Sequence, residues 1–512
     1  MPSESRTTKS VKNAKVELFF CLLTFLIAFF SRKIFLDKLG AEFIGLTTTL
    51  QGLLNFLNLA ELGIGTAISY VLYKPLAEDD RDKINEIVSI LGYLYNRVGL
   101  FILTVGVALS FFIPLIFPHT SFSFVLIFVG YYVYLACAML SYFINYRMTL
   151  LSADQKNYVV TKYLKTSNIL QLLAQMAAAL FFANLYCYLF IALFFSIVYS
   201  ILLNIKIRQH YPWLLTSIAE GKKKLADYPL IKKLIGQLFI HKIANFSQLQ
   251  LISLFISMFV SVTAVAYYGN YTTITFKLYI IFNAVLGSTY AGVGNLMATC
   301  GLDKRIKMYE ELMAINFFIT GFSVFMLSIF VEPFIVLWLG EKYLLSKLVV
   351  FLILGNFYFM LSRGTTDQFI SGLGMYNDVW APVSELVMFV ILSVVGGWMW
   401  KLPGILGAGL LCKVLFAGIW KPFFLFHYGF KISFMRYLWI RGRNVFALAA
   451  SSALAMCLFK YVLPIKKNDT FVALGLNVCY LGAIFMVIYI VLLLLIAPSS
   501  AGLLKRFRII KG

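Results

Sequence analysis

The segment Val260–Met297 reads VSVTAVAYYGNYTTITFKLYIIFNAVLGSTYAGVGNLM, and it decides the fold class. It is largely apolar over more than the length of one bilayer crossing, about 20 residues, yet it carries Lys277 far from either end. A charge at the centre of a span costs about 2.5–3.5 kcal/mol on insertion scales, so such residues are rare and face a cavity or a partner. The segment therefore predicts a membrane-spanning helix with an inward-facing cation.

The composition of the whole chain extends this interpretation. Of 512 residues, 61% are hydrophobic and 13% are charged, whereas soluble globular domains carry about 25% charged residues. We predict an all-α polytopic membrane protein with about 14 transmembrane helices. The predicted helices cover residues 16–36, 42–73, 84–116, 122–146, 158–183, 185–207, 233–260, 263–298, 310–331, 345–371, 377–400, 403–427, 443–464 and 471–497.

The basic residues are unevenly distributed among the predicted loops. With the N-terminus inside, the cytoplasmic stretches carry 28 Lys and Arg residues and the external stretches carry 8. This bias predicts that both termini are cytoplasmic, although Arg32, Lys33 and Lys38 in the first external loop oppose it. A basic face held against anionic membrane lipids explains the net charge of +22 better than a nucleic-acid partner does.

An internal repeat predicts two parallel bundles. Gly45–Leu50 and Leu62–Ala67 resemble Gly269–Ile274 and Leu286–Ala291, and both pairs are separated by the same shift along the chain. A repeat displaced by six helices keeps its direction across the membrane, and substrate is then expected between the bundles. The predicted organisation is an N-terminal six-helix bundle (1–207), a cytoplasmic linker (208–232), a second six-helix bundle (233–427), and two additional helices with a basic tail (428–512).

Polar side chains form stripes along several predicted helices. Lipid cannot satisfy their hydrogen-bonding groups, so each stripe must face protein or water. A shared hydrated cavity is one interpretation, and hydrogen bonding between neighbouring helices is the other. The stripe residues predicted to contact substrate are Gln51, Asn55, Asn58, Gln237, His241 and Asn245.

Charged residues inside the apolar segments are the candidates for anion binding and ion coupling. The predicted cationic cavity comprises Arg97, Lys277, Arg363, Lys242 and Lys413. The candidate coupling acids are Glu61, Asp367 and Glu385. Three alternatives stay open: Arg363 and Asp367 are spaced to pair on one helix, Lys242 is placed to snorkel to the headgroups, and Glu61 fits a hydrogen-bonded neutral acid equally well.

Enzymatic and cofactor signatures are absent from the sequence. It contains no G-x-x-x-x-G-K-[ST] phosphate loop, and its seven cysteines form no C-x-x-C pair. The longest predicted external loop, 332–344, is too short for a membrane-embedded glycan polymerase or transferase. We therefore expect a protein that is not an enzyme and that uses no cofactor and no metal.

Several motifs resemble those of bacterial polysaccharide repeat-unit flippases. These are Leu39–Leu46 (LGAEFIGL), Glu61–Ile68 (ELGIGTAI) with the acidic loop Leu76–Asp80, Leu150–Tyr158 (LLSADQKNY), and Val336–Tyr343 (VLWLGEKY). Such Wzx-type flippases, for O-antigen, capsule or exopolysaccharide units, belong to the multidrug/oligosaccharidyl-lipid/polysaccharide exporter superfamily. The resemblance covers most of the first ten predicted helices and fades in the last four.

The resemblance implies a two-lobed transporter of the bacterial inner membrane. Its expected substrate is an undecaprenyl-pyrophosphate-linked oligosaccharide, moved by alternating access and coupled to a gradient of H⁺ or Na⁺. Polysaccharide polymerase and ligase machinery are the implied partners. The main alternative is a multidrug or metabolite cation antiporter of the same superfamily, for which a net acidic cavity is expected instead of a basic one.

Overall fold

The computed structural model describes most of the chain. The described residues are 6–57, 63–118, 120–154, 156–231, 235–236, 250–287, 293, 297, 300–375, 377–461 and 470–496. Within these ranges all regular secondary structure is helical, which confirms the predicted all-α class. Eight of the described helices are long and apolar enough to cross a membrane, and the chain is a multi-pass membrane protein.

The principal helices follow the predicted order with shifts at their ends. They are α1 (Arg6–Lys38), α2 (Ala41–Leu57), α3 (Ile64–Glu78), α4 (Arg81–Ser110), α5 (Phe124–Phe143), α6 (Asn157–Phe181), α7 (Leu185–His210), α8 (Ile218–Lys224), α9 (Gln250–Phe259), α10 (Val262–Gly287), α11 (Leu302–Leu339), α12 (Lys347–Ser362), α13 (Gly364–Gly372), α14 (Trp380–Lys413), α15 (Phe434–Tyr461) and α16 (Phe471–Ile496).

Two predicted long helices are interrupted in the structure. The segment predicted as 42–73 forms α2 and α3, and α3 begins after Gly63, whose φ of 102° lies in the left-handed region that favours glycine. The segment predicted as 345–371 forms α12 and α13, which meet at Arg363. Both interruptions occur beside residues that the sequence marks as functional candidates.

Helix α14 turns back on itself at Lys401, where the backbone adopts φ 55° and ψ −133°. A Cβ atom added to Gly404 would collide with the carbonyl group of Gly396, so the two arms of the turn cross at backbone contact. The second arm continues through the π-helical stretches Val414–Trp420 and Leu425–Gly429. This turn corresponds to the two-residue loop predicted at 401–402.

The chain forms two compact units, Met1–Ala266 and Tyr267–Gly512. The boundary falls within α10, whereas the sequence places a linker at 208–232. The start of α10 packs against α2 in the first unit. The two backbones approach so closely at Gly45 that a Cβ atom there would collide with the Val262 carbonyl group. Arg32 adds a second contact, since its Nη2 donates to the Ala266 carbonyl oxygen at 2.9 Å.

In the first unit the predicted linker docks against the start of α4. Lys224 Nζ lies 2.7 Å from Glu86 Oε1, and the Tyr228 hydroxyl donates to Glu86 Oε2 at 2.9 Å. Burial, with a smaller effect of Glu86, raises the pKa of Tyr228 to about 12, so its phenol stays a donor at neutral pH. Helix α8 approaches α4 so closely that a Cβ atom on Gly221 would collide with the Ser89 carbonyl group.

In the second unit α11 is the central helix. It packs against α12, α15 and α16. The rings of Phe325 and Phe485 stack with centroids 3.9 Å apart, and the Tyr489 hydroxyl donates to the Phe317 carbonyl oxygen at 3.0 Å. The two additional C-terminal helices therefore form part of the hydrophobic core of this unit.

Candidate substrate and ion site

A group of charged side chains lies within the second unit, where α12, α13, α14 and α15 approach one another. We call it the charged cluster. Its members are the bases Arg363, Lys413 and Lys421 and the acids Asp367, Asp378 and Glu385; a further base of the same unit, Arg441, lies among the aromatic side chains of Tyr309, Tyr358 and Tyr437. Intramembrane ionisable residues of this kind mark substrate or ion pathways in membrane proteins.

Arg363 and Asp367 form an ion pair at the junction of α12 and α13. Arg363 Nε lies 2.6 Å from Asp367 Oδ2, and both side chains are about a quarter exposed. Their spacing of four residues places them on one face of the helix. The predicted pairing on one helix is therefore present, and neither side chain is sealed from its surroundings.

Lys413 is the deeply buried cation of the cluster. It is 8% exposed, and its Nζ donates to Asn356 Oδ1 at 2.9 Å. The Asn356 amide is itself held, because its Nδ2 donates to the Leu406 carbonyl oxygen at 3.0 Å. Among the described residues no carboxylate lies within 4.0 Å of the Lys413 ammonium, so its charge is solvated by an amide and not neutralised by an ion pair.

Glu385 connects the separate charges of the cluster. Its half-buried carboxylate lies within electrostatic range of Arg363, Lys413 and Lys421. Two of the predicted cations and two of the predicted coupling acids are thus brought together in one unit. This proximity links any change in the charge of an acid to the strength with which the bases bind an anion.

Asp378 and Lys421 extend the cluster and are absent from the sequence-based candidates. Asp378 is 2% exposed, and its Oδ2 accepts from Lys421 Nζ at 2.8 Å and from Trp420 Nε1 at 3.4 Å. The partners are more than forty residues apart in the chain, so no spacing rule applies. The only sequence signal is a lone acid at the start of one predicted helix and a lone base near the end of the next.

Arg441 is a third residue that the sequence-based candidates do not include. It lies on α15, between the predicted helices 403–427 and 443–464, yet its guanidinium carbon is 5.2 Å from the Phe359 ring centroid and 6.0 Å from that of Phe317. Its Nη1 donates to the Tyr437 hydroxyl and lies 3.5 Å from the Gly418 carbonyl oxygen. Gly418 is in a π-helical stretch, and such stretches are frequent at functional sites.

The remaining described candidates lie elsewhere. Arg97 is exposed on α4, and its Nε donates to the Tyr93 hydroxyl at 3.3 Å. Gln51 and Asn55 are both exposed and lie one turn apart on α2. Lys277 is half-buried on α10; Tyr279, on the same helix, lies within electrostatic range of Arg363, so α10 borders the charged cluster.

Six further candidates lie outside the described residues. They are Asn58, Glu61, Gln237, His241, Lys242 and Asn245. Their proposed roles stay predictions from the sequence. Within the described part of the chain, no group of three or more His, Cys, Asp or Glu side chains is arranged to hold a metal ion.

Comparison with solved structures identifies the fold. The lipid II flippase MurJ in an inward closed conformation matches with a TM-score of 0.67 at 13% sequence identity, covering 94% of this chain and 98% of the flippase. A transporter of the MOP superfamily from Pyrococcus furiosus matches with a TM-score of 0.52 at 13% identity, covering 86% and 95% of the two chains. No family model and no curated protein sequence matches. The chain therefore has the fold shared by the MurJ flippase and transporters of the MOP superfamily.

Proposed function

We propose that this protein is a flippase that moves undecaprenyl-pyrophosphate-linked oligosaccharide units across the bacterial inner membrane by alternating access. The observation that carries the proposal is the charged cluster, in which the bases Arg363, Lys413 and Lys421 all lie within electrostatic range of Glu385 inside a membrane-embedded unit. The solved structure with the higher TM-score is a flippase of another lipid-linked substrate, lipid II, and this supports the same class of cargo.

The chemistry of a diphosphate matches the bases of the cluster. Hydrogen bonds from a cationic donor to phosphate are short and roughly twice as strong as neutral ones. Arg363 and Lys413 would bind the diphosphate, with the guanidinium of Arg363 exchanging the Asp367 carboxylate for phosphate oxygens. Asn356 would keep Lys413 oriented while leaving its charge available. The oligosaccharide needs hydroxyl and amide partners, for which Gln51, Asn55 and the other predicted stripe residues are the candidates.

The acids of the cluster provide a route to ion coupling. When a diphosphate binds Arg363, Asp367 loses its ion-pair partner, and Glu385 gains a negatively charged neighbour. Both changes favour uptake of a proton or a Na⁺ ion by a carboxylate. Substrate and ion would then bind together, so an ion gradient could drive the transport cycle. Glu61 stays a further candidate coupling acid on the grounds of its sequence position.

A cation antiporter is the second candidate function. It is favoured by the presence of Asp367, Asp378 and Glu385, because the three acids of the cluster could bind an organic cation if the bases formed ion pairs with other groups. Pocket polarity is the property that distinguishes the two functions. For the Pyrococcus furiosus transporter, likewise, a reversed polarity of the binding pocket suggests a different function.

The test is glycan display on cells that lack this gene. Complementation with the wild type should restore surface glycan, and complementation with Lys413→Met should restore it poorly while the variant inserts normally. Loss of surface glycan with lipid-linked repeat units accumulating on the cytoplasmic side supports the flippase. Normal glycan in a deletion strain that has no second flippase, together with a changed sensitivity to cationic drugs, would favour the antiporter.

A further inference from the structure

The first unit contains a crevice that the proposed transport cycle does not use. It lies between the end of α5 with the following turn, Asn145–Arg147, and the last three turns of α7. Its volume is about 670 Å³. All the lining residues belong to the first unit, so the crevice is separate from the charged cluster.

One wall of the crevice is apolar. It is formed by Leu140, Phe143, Ile144, Ile197, Ile201 and Ile205. Four of these side chains are more than two-fifths exposed, namely Ile144, Ile197, Ile201 and Ile205. From Ile197 to Arg208 the helix rises about 16 Å at 1.5 Å per residue, a length that accommodates a large part of one acyl chain.

The other end of the crevice is basic and polar. Arg147 Nη2 donates to Thr216 Oγ1 at 2.8 Å, and its Nε donates to the Tyr146 hydroxyl at 3.3 Å. A guanidinium has five N–H donors, so most of those on Arg147 stay available. Arg208 is exposed and makes no hydrogen bond or ion pair with any described residue, and no carboxylate lines the crevice.

Amide hydrogen bonds support the floor of the basic end. The buried Asn145 donates from its Nδ2 to Ser200 Oγ at 3.0 Å, and Asn204 Nδ2 donates to Asn145 Oδ1 at 3.4 Å. These bonds fix the turn after α5 against α7 at the level of the two arginines. A cation at the C-terminus of a helix such as α7 is stabilised by the helix dipole even without a ligand, so Arg208 alone does not indicate a binding site. Two arginines without acid partners beside an apolar wall do indicate one, and this combination matches the headgroup and acyl chain of a lipid.

We propose that this crevice binds an anionic phospholipid, with its phosphate between Arg147 and Arg208 and one acyl chain along the isoleucine wall. Both arginines lie at the end that the positive-inside bias assigns to the cytoplasm, which places the site in the inner leaflet. The ligand class is a phosphodiester lipid of the surrounding bilayer, such as phosphatidylglycerol. It is distinct from the transported substrate.

Native mass spectrometry of the full-length protein in detergent tests the proposal. Phosphatidylglycerol and phosphatidylcholine with identical acyl chains are titrated separately. The wild type should bind one phosphatidylglycerol more tightly than phosphatidylcholine. Arg208→Gln should weaken phosphatidylglycerol binding about fivefold, as expected for one basic residue at a membrane surface. Arg147→Gln combined with Arg208→Gln should weaken it further.

Two other variants keep the test informative if Arg147→Gln fails to fold. Ile201→Trp fills the apolar wall without changing charge and should also weaken binding. Lys206→Gln is the matched control, because Lys206 is on the same helix and its Nζ donates to Gln209 at 2.8 Å outside the crevice; it should bind like the wild type. Equal affinity for the two lipids, or equal losses in Lys206→Gln and Arg208→Gln, would overturn the proposal. Displacement of the lipid by an equal concentration of inorganic phosphate would also overturn it, because the site would then recognise a soluble anion.

Discussion

Lys413 Nζ donates a hydrogen bond to Asn356 Oδ1 at 2.9 Å, although the two residues are 57 positions apart in the chain. Asn356 is anchored by its own bond to the Leu406 carbonyl oxygen. A neutral amide thus orients a buried ammonium group without cancelling its charge. An ammonium group facing lipid would cost free energy. In an anion-binding cavity the same group would be oriented and charged before the anion arrives.

Replacing Lys413 by Met is expected to abolish most transport while leaving insertion intact. A hydrogen bond to a charged group contributes about 1.5–3 kcal/mol, so substrate affinity should fall about 10- to 100-fold. Binding of a lipid-linked diphosphate to the purified variant measures this. Lys347→Met is the control, because Lys347 is exposed at the first residue of α12 and should leave affinity unchanged. Equal losses in both variants would contradict the role assigned to Lys413.

The ion pair between Arg363 and Asp367 predicts two different phenotypes. Arg363→Gln should lose diphosphate binding, since it removes the cationic donor. Asp367→Asn should retain binding, because the guanidinium stays and gains freedom to take the phosphate, but it should weaken the dependence of transport on the ion gradient. Transport at several imposed gradients separates the two. Undiminished gradient dependence in Asp367→Asn would remove Asp367 from the coupling scheme.

The sequence predicts the class of fold well because its signals are local. Runs of apolar residues set the helices; the direction of each across the membrane stays a prediction from the distribution of Lys and Arg. The breaks at Gly63 and Arg363 were not predicted, because hydropathy stays high across both positions. The reversal at Lys401 was placed correctly as a short loop, since Lys401 and Pro403 interrupt an otherwise apolar run.

The charged cluster was only partly predictable. Arg363, Asp367, Glu385 and Lys413 stand out because each is a charge within an apolar segment. Arg441 does not, because it lies among other basic residues and reads as part of a loop. The pairing of Asp378 with Lys421 depends on the turn at Lys401, which returns the chain to the starting level of α14. Contacts of this kind follow from packing and not from spacing.

Some motifs that carry the family resemblance have structural roles. The Glu42 carboxylate accepts from Thr120 Oγ1 at 2.9 Å and from Ser121 Oγ at 2.6 Å, which fastens the loop before α5 to the start of α2. The Tyr211 hydroxyl donates to Asp154 Oδ2 at 2.8 Å in a similar way after α7. Such motifs contribute to the fold, and their contacts give no information about a transported substrate.

Gly45→Ala should destabilise the first unit. The added Cβ atom would collide with the Val262 carbonyl group, and overpacking of this kind costs about 1–3 kcal/mol. A lowered melting temperature of the purified protein would show the effect. Gly475→Ala is the matched control, because nothing lies within 4 Å of a Cβ atom at that position. A Gly45→Ala variant as stable as the control would show that α2 and the start of α10 are not in backbone contact.

The docked linker predicts a change in protease sensitivity. Glu86→Gln removes the charge that holds Lys224 and weakens the acceptor of Tyr228, so limited trypsin treatment should cleave after Lys222–Lys224 several times faster. Glu220→Gln is the control, because it removes a neighbouring acid that makes no ion pair with a described residue. Unchanged cleavage in Glu86→Gln would contradict the docking of α8 on α4.

The most direct measurement is translocation in proteoliposomes of a fluorescent undecaprenyl-diphosphate oligosaccharide, followed by quenching of the fluorophore in the outer leaflet. Wild-type protein should increase the exchange rate when an ion gradient is imposed, Lys413→Met should lose most of that increase, and Lys347→Met should match the wild type. If the wild type, correctly inserted, exchanges the lipid no faster than empty vesicles at any imposed gradient, the flippase account is wrong.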